Sequence, residues 1–406
     1  MALTIFISAG EASGEHYGAL LVEALKKRLT ETGRTAQFFG MGGPRMRAAG
    51  FESVVRSEDM SVMGITEVVR HLPRIYREFR KLKQAVRDRC PSVAVLIDFP
   101  DVHFRLAEEL HHMGIPIIFF VSPQLWAWKK NRVQLVQKFV DRMLVIFPFE
   151  EPFYREHGVK AEFVGHPLAE LPLPSTSRVQ FASENALDPA NTWIGLLPGS
   201  RPKEIRENLP KMLTAGREIA ARSFLDGMKP GGLEFVIPLA ATLDGAQRDV
   251  ARRIVELNQG TLPVRLVGDA RATLFHARAS VVASGTATVE AALIGNPFVV
   301  VYRVSPVTYA IAKLLVKVPH VAMANLIAGK RVVPELIQNE FTASNIVRHL
   351  QQLLPDGPPR QSMMEELAAI RTLLHDGVTD EDGKERSAIG RVAEITLDLL
   401  ETRLGR

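Results

Sequence analysis

Short apolar runs alternate with longer amphipathic stretches along almost the whole chain. Leu3–Ser8 is a continuous apolar run and reads as a buried strand. Gly14–Leu29 carries its apolar residues at three- and four-residue spacing and reads as a helix, and Ala36–Gly40 returns to a strand. Val93–Ile97, Ile115–Val121 and Met143–Ile146 are further strands, each preceded by a helical or basic segment. Runs that are apolar throughout belong to strands covered on both faces, so this rhythm predicts a parallel sheet flanked by helices. The stretch Leu171-Pro-Leu-Pro-Ser-Thr-Ser177 interrupts it and ends a first domain near residue 170. Strands at Thr192–Leu197, Glu234–Pro238, Val264–Val267, Ser280–Ala283 and Pro297–Val301 restart the pattern. Two helices, over roughly Gln361–His375 and Glu385–Thr402, finish the chain.

The expected class is therefore α/β: two Rossmann-like domains facing across a cleft, with C-terminal helices packing back. The expected boundaries are 1–170 for the first domain, 171–190 for a linker, 191–355 for the second domain and 356–406 for the terminal helices. Ligands of such sheets bind beyond the carboxyl ends of the strands. A dehydrogenase would show Gly-x-Gly-x-x-Gly after its first strand. Here that turn reads Ser8-Ala-Gly-Glu-Ala-Ser-Gly14, and Gly40-Met-Gly-Gly43 reads as a tight turn after the second strand, so nicotinamide binding is disfavoured.

Composition narrows the class. The 406 residues are 46% hydrophobic and 23% charged, the balance of a globular protein. No apolar run approaches the ~20 residues that span a bilayer. Met1–Ser8 lacks the basic start and cleavage site of a signal peptide, which leads to the expectation of a soluble, cytoplasmic protein. The single cysteine, Cys90, excludes an intrachain disulfide and a zinc knuckle.

A net charge of +5 points to an anionic partner: phosphate, an anionic membrane surface or nucleic acid. Basic residues are densest between Arg70 and Arg89. The apolar residues around them (Val62, Met63, Ile65, Val68, Val69, Leu72, Ile75, Tyr76 and Phe79) follow helical spacing rather than the aromatic interleaving of a base-stacking platform. Nucleic acid is thereby disfavoured. Two readings stay open: a core-facing helix kinked or divided at Pro73, or a helix lying in an anionic membrane surface.

The candidate chemistry sits at strand ends. Ser280–Ala283 runs into Ser284-Gly285-Thr286-Ala287-Thr288 and at once into a helix containing Glu290. A helix N-terminus offers unpaired N–H groups and partial positive charge, which suit a phosphate, and Glu290 lies one turn in, within reach of a ribose. The competing reading is a helix merely capped by Ser and Thr. In the same sheet, Leu197-Pro-Gly199-Ser200-Arg201 reads either as a diphosphate loop with a guanidinium fork or as a capped helix with a solvated Arg. Gly268, after the strand ending at Val267, lines a nucleobase pocket or forms a turn.

In the first domain, Asp98 and Asp101 follow a strand. Asp98, at its end, is the better candidate for a general base toward a hydroxyl, and Asp101 caps the next helix in the alternative reading. A metal site from Asp98, Asp101 and His103 is disfavoured, since Pro100 interrupts the trio and no further ligand stands nearby. Glu11, Ser13 and Glu15 enter a helix N-terminus that suits an anion or a sugar; Glu11 or Glu15 acts on a hydroxyl in a further reading, or simply answers the helix dipole. Trp126 and Trp128, beside Lys129 and Lys130, suit an acyl-sugar phosphate, an interface or simply the core.

Taken in order, these segments resemble the lipid-A-disaccharide synthase family. The resemblance runs nearly end to end, through Ser8-Ala-Gly-Glu-Ala-Ser-Gly, Met63-Gly-Ile-Thr-Glu and Val121-Ser-Pro-Gln-Leu-Trp-Ala-Trp to Leu197-Pro-Gly-Ser-Arg. It continues through Ala283-Ser-Gly-Thr-Ala, Asn325-Leu-Ile-Ala-Gly and Pro334-Glu-Leu-Ile-Gln. The resemblance implies a B-type glycosyltransferase fold and transfer, with inversion, from UDP-2,3-diacylglucosamine to the 6-hydroxyl of 2,3-diacylglucosamine 1-phosphate. It implies no cofactor and no required metal, and it also implies a homodimer. Asp98 matches the family's essential acidic position on the acceptor side. Arg201 and Ser284–Glu290 match its UDP-binding positions, and Asn325 a motif asparagine near the donor. The basic helix after Met63 matches its membrane-associating segment, which places the protein on the cytoplasmic face of the inner membrane of a Gram-negative cell. Glu15, Lys129, Val102-His103 and Ala324 depart from the commoner family residues Asp, Arg, Phe-Asn and Pro.

Overall fold

The computed structural model describes residues 3–60, 65–127, 130–221, 232–240, 243–305, 308–310, 313, 318–375, 377 and 387–404. The chain divides into two units: unit 1 is Met1–Glu170 with Leu374–Arg406, and unit 2 is Leu171–Leu373.

Unit 1 is built on seven parallel strands: β1 (Leu3–Ala9), β2 (Ala36–Gly42), β3 (Glu52–Arg56), β4 (Val93–Ile97), β5 (Ile117–Phe120), β6 (Arg142–Val145) and β7 (Ala161–Phe163). Their order is β3-β2-β1-β4-β5-β6-β7. Successive side chains of a strand face opposite sides of the sheet, and β1 shows how one apolar run supplies two cores. Ile5 and Ile7 join Leu21, Val22, Leu25 and Val95 on one face, while Phe6 joins Phe39, Leu96, Leu106 and Phe119 on the other. The order reverses between β1 and β4, so the loops leaving those two strands diverge and open a crevice at the sheet's carboxyl edge.

Unit 2 repeats the arrangement with six parallel strands: β8 (Thr192–Leu197), β9 (Leu233–Pro238), β10 (Val264–Val267), β11 (Ala279–Ala283), β12 (Phe298–Tyr302) and β13 (Glu335–Ile337). Their order is β10-β9-β8-β11-β12-β13, with the reversal between β8 and β11. The two Rossmann-like domains expected from the periodicity are present. Three strands that the pattern does not announce are β3, β7 and β13. All three are outermost in their sheets, and β7 and β13 are three residues long. An edge strand needs neither the length nor the two-sided apolarity that makes a central strand visible.

The segment expected as a linker, 171–190, instead carries a helix, Arg178–Asn185, capped by Ser177, whose Oγ accepts from Gln180 N–H at 3.2 Å. Phe181, Ala182 and Leu187 are buried with Trp193, and the Arg178 guanidinium lies 3.7 Å from the centroid of that indole. The terminal helices also part company. Pro358–Leu373 packs on the helix Thr286–Ile294 of unit 2. Ala388–Leu404 packs on Ala12–Glu31 of unit 1, burying Val392, Ala393 and Leu400, and Arg391 pairs with Glu162 at 2.5 Å.

A single helix, Ile65–Arg89, runs through Pro73 rather than being divided there. Ile75 and Phe79 are half-buried against the unit 1 core, whereas Arg74, Tyr76, Arg77 and Arg80 are exposed. Both Ile75 and Phe79 therefore pack partly against the core above the sheet, the core-facing alternative for this stretch of the helix. Val62 and Met63, and the side chains of Val68, Val69 and Leu72, lie outside the described residues. No helix among the described residues is long and apolar enough to cross a membrane.

Candidate active site, a half-site in each unit

In unit 1 the β1 and β4 ends bring together Ser8, Gly10, Glu11 and Asp98. Asp98 and Phe99 are consecutive non-glycine residues in the left-handed region, with φ of +53° and +52°. Such conformations cost of order 1–3 kcal/mol each and persist only where the surroundings hold them. Asp98 N–H donates to Phe120 O at 2.9 Å, and Asp98 O accepts from His103 Nδ1 at 2.5 Å. The Phe99 ring lies against Gly10, where any Cβ would overlap it. The Asp98 carboxyl is pushed up to about 6, first by burial and then by the negative charge of Glu11, against a smaller opposing hydrogen bond from the Phe99 backbone. A carboxylate poised near neutral pH is suited to taking a proton from a hydroxyl.

The other acceptor-side candidates have different surroundings. Asp101 is exposed and ion-paired with Arg132 at 2.6 Å. Glu15 is buried, and its Oε1 accepts from Arg45 N–H at 2.6 Å and Met46 N–H at 3.0 Å, holding the N-terminus of the helix Pro44–Ala48. That engagement accounts for its carboxylate without an acceptor sugar. Glu11, exposed, N-caps Ala12–Glu31 without a side-chain cap bond, and Ser13 is partly buried in the first turn of that helix. The trio Asp98, Asp101 and His103 does not converge, because Asp101 turns to Arg132 and His103 to Ser8 and the Asp98 carbonyl.

Trp126 donates from Nε1 to Glu150 Oε1 at 3.0 Å and meets Phe149 edge-on at 4.9 Å. Glu150 is a buried acid that the sequence pattern gave no reason to single out. Burial pushes it up to about 8, against hydrogen bonds from Trp126, the Phe147 and Ile146 backbone and Ser122. It is thus mostly uncharged at neutral pH and anchors the Trp126 loop. Trp128 lies outside the described residues.

In unit 2 the switch point between β8 and β11 carries both candidate anion loops, and they differ. Gly199 takes φ of +116°, and a side chain there would collide with Glu204. Glu204 Oε2 accepts from the amides of Ser200 at 3.0 Å and Arg201 at 3.2 Å, so an internal carboxylate already fills that loop's N–H groups. The Arg201 side chain is 61% exposed and 3.7 Å from Glu204 Oε1, a loose pairing that leaves most of its guanidinium to solvent. Across the switch point, Gly285 (φ +148°) precedes the helix Thr286–Ile294, and no side chain caps it. Thr288 is buried and its hydroxyl donates to Gly285 O at 2.7 Å, which tightens the turn and corrects its reading as a ligand hydroxyl. Gly285 and Thr286 are exposed; Ser284 and Ala287 are partly so. Glu290 is raised from the usual carboxylate range by burial, with Arg271 opposing and Asp269 reinforcing.

Two further donor-side candidates have surroundings of their own. Asn325 is buried. Its Nδ2 donates to Val333 O at 3.0 Å and Glu335 Oε1 at 2.8 Å, and its Oδ1 accepts from Val332 and Val333 N–H at 2.7 and 2.9 Å. An amide has two donors and two lone pairs, so this one is saturated, and its part is to fold the approach to β13. Gly268 is exposed beyond β10, the edge strand two removed from β8, beside Asp269, which caps the helix Ala270–His276.

The structure resembles solved two-domain sugar-nucleotide enzymes. UDP-GlcNAc 2-epimerase from Neisseria meningitidis, solved with UDP-GlcNAc, aligns with a TM-score of 0.59 at 14% identity over 99% of this chain and 100% of its own. The glycotransferase of kitacinnamycin aligns at 0.60 and 15% over 98% and 99%. At these identities the likeness establishes a fold, the B-type glycosyltransferase architecture. The sequence comparisons go further. Lipid-A-disaccharide synthase of Acidobacterium capsulatum is 56% identical over 408 aligned residues, 98% of this chain and 97% of its own. That of Koribacter versatilis is 49% identical over 386, covering 95% and 97%. The family model for lipid-A-disaccharide synthetase matches residues 5–386. With both half-sites inside that span, the chain belongs to the lipid-A-disaccharide synthase family.

Proposed function

We propose that the protein transfers the acylated sugar of UDP-2,3-diacylglucosamine to the 6-hydroxyl of 2,3-diacylglucosamine 1-phosphate, with inversion. The acceptor oxygen forms the bond to the anomeric carbon as the bond to the UDP oxygen breaks. The hydroxyl proton passes to Asp98, and UDP leaves carrying the negative charge. Unit 2 takes the donor: the Thr286 and Ala287 amides and the Arg201 guanidinium offset the charge building on the diphosphate, and Glu290 meets the ribose. Unit 1 takes the acceptor. One observation carries this reading: in a chain of this family, one switch point holds a carboxyl raised to about 6 and the other an uncapped helix tip beside an exposed arginine.

The test is incubation of the purified protein with both acyl sugars in detergent and a metal chelator, followed by detection of disaccharide and UDP. Absence of product would sink the proposal. An epimerase, the activity named for the similar Neisseria meningitidis structure, would instead alter the donor alone, without acceptor.

The exposed cations of Ile65–Arg89 support a second part of the proposal, peripheral contact with an anionic membrane at the cytoplasmic face, where acylated substrates reside. Tyr76 is 63% exposed between Arg74 and Arg77. Replacing Tyr76 by Ser together with Arg77→Glu and Arg80→Glu should cut co-sedimentation with phosphatidylglycerol vesicles several-fold and leave activity on detergent-dispersed substrates intact. Undiminished sedimentation would assign the basic face to solvent alone.

A further inference from the structure

His103 is fully buried, with its ring edge-on to Phe99 at 5.8 Å and to Phe119 at 6.0 Å. Burial pushes its pKa down to about 4, so the imidazole is neutral and has one donor and one acceptor. Its neighbours settle which nitrogen does which. Nδ1 stands 2.5 Å from Asp98 O, which can only accept, so Nδ1 carries the proton. Nε2, 2.8 Å from Ser8 Oγ, then accepts from the hydroxyl. A relay of two hydrogen bonds thus crosses the switch point, from β1 through the ring to the backbone of the residue that follows β4. His103 N–H also donates to Phe99 O at 3.1 Å, so both left-handed residues are held by the same side chain and its own backbone. The Asp98 carboxyl takes no part in this relay.

We propose that His103, braced by Ser8, is a positioning residue for the acceptor half-site: it locks the Asp98 backbone in its left-handed conformation and thereby fixes where the carboxylate is held. The inference rests on the reading of Asp98 as the base. The charged group facing that carboxyl is Glu11, on the loop after β1; on the following helix His103 is neutral and Asp101 is paired with Arg132. Without the relay, Asp98 relaxes toward ordinary backbone geometry and toward water. Its pKa then falls toward the usual carboxylate value and the hydroxyl loses its aligned base.

The experiment compares His103→Leu, His103→Asn and Ser8→Ala with the parent protein, with folding checked by thermal melting and by UDP binding. His103→Leu should lower kcat by about 10–100-fold, the scale of a small misplacement of a reacting group, with KM for both sugars and UDP affinity within about two-fold. The acid limb of its pH–rate profile should move to lower pH. Asn keeps a donor near the Nδ1 position for the carbonyl but is too short to reach Ser8, so His103→Asn should restore part of kcat; Ser8→Ala, which keeps the bond to the carbonyl, should also fall between the leucine variant and the parent. Unchanged kcat and acid limb in His103→Leu, with Asp98→Asn inactive, would overturn the positioning role alone. Wild-type rate in Asp98→Asn would overturn the base reading beneath it. Should the leucine variant not fold, Ser8→Ala decides: a parental profile there overturns the relay.

Discussion

The two units place their candidate chemistry at the same topological position and prepare it in opposite ways. In unit 1 the crevice between β1 and β4 is lined by a backbone held in the left-handed region, a buried neutral imidazole and a carboxyl raised by burial. In unit 2 the crevice between β8 and β11 ends in an exposed glycine turn, a helix N-terminus without a cap and a largely solvated arginine. The difference follows from the demands of the two proposed tasks. Moving a proton at neutral pH requires a base removed from water and fixed in place, which needs burial and tolerates strain. Holding a diphosphate requires donors that remain unsatisfied until the ligand arrives, which needs exposure. Even within unit 2 the contrast recurs: the Ser200 and Arg201 amides are filled by Glu204, and only the Thr286 side of the switch point is left open.

The largest effect should come from removing the proton acceptor of unit 1. Asp98→Asn should reduce kcat by roughly 10²–10⁴-fold with little change in UDP affinity. It should also stabilise the protein, which separates function from folding. The folded carboxyl is raised to about 6 from an ordinary value of 3.8, so the native state binds more protons between those limits and loses stability as pH rises through them. Above pH 6 the difference is on the order of 3 kcal/mol. Melting of Asp98→Asn should therefore occur above that of the parent at pH 8 and converge with it below about pH 4. An unchanged melting curve at pH 8 would mean that the carboxyl is not seated as described.

Unit 2 should respond in binding rather than in proton transfer. Thr286 is the first helical residue and follows Gly285, whose extended ψ of −163° accommodates a following proline. Thr286→Pro removes the amide N–H and the hydroxyl, and Thr286→Val removes the hydroxyl alone. A hydrogen bond to a charged group contributes about 1.5–3 kcal/mol, so proline should weaken UDP binding by about 10–100-fold and valine by much less. Calorimetric titration with UDP distinguishes them; equal losses would move the diphosphate off the helix tip.

How much of this contrast is legible in the sequence depends on what each site is made of. The open tip is a local feature: Ser284-Gly285-Thr286 between an apolar strand and a helix announces it, as Leu197-Pro-Gly-Ser-Arg201 announces the neighbouring loop. Asp98 at the end of a five-residue apolar run is visible for the same reason. What is not legible depends on contacts between distant residues. Ser8 and His103 are 95 positions apart, and nothing in either segment predicts their hydrogen bond. Glu15 and Asn325 have the polarity of ligand-binding residues. Only the folded chain shows that one closes a helix N-terminus 30 residues away and the other saturates itself on the turn before β13. The helix Arg178–Asn185 was hidden in a stretch whose prolines and serines read as a break, since burial of Phe181 against Trp193 outweighs that composition. Ile75 and Phe79 share their periodicity with a membrane-facing helix, and a period of 3.6 gives the apolar face without saying what covers it.

The smallest effect probes the electrostatic half of the contrast. Glu11 is exposed, yet its charge ranks next after burial among the causes that raise Asp98. Glu11→Gln keeps the size and hydrogen-bonding reach of the side chain while removing the charge. If Asp98 is the base, it should then ionise more readily, and the acid limb of the rate profile should shift to lower pH while the plateau rate above pH 8 stays near that of the parent. Because the dominant cause, burial, is untouched, the shift should be smaller than that of His103→Leu, which releases the carboxyl from its seat. Added salt should shrink the effect of Glu11→Gln, since an exposed charge is screened. An acid limb insensitive to both Glu11→Gln and salt would assign the rise in Asp98 to burial alone and leave Glu11 as a residue of the helix entrance. A fall in the plateau rate would instead place Glu11 in contact with the acceptor sugar.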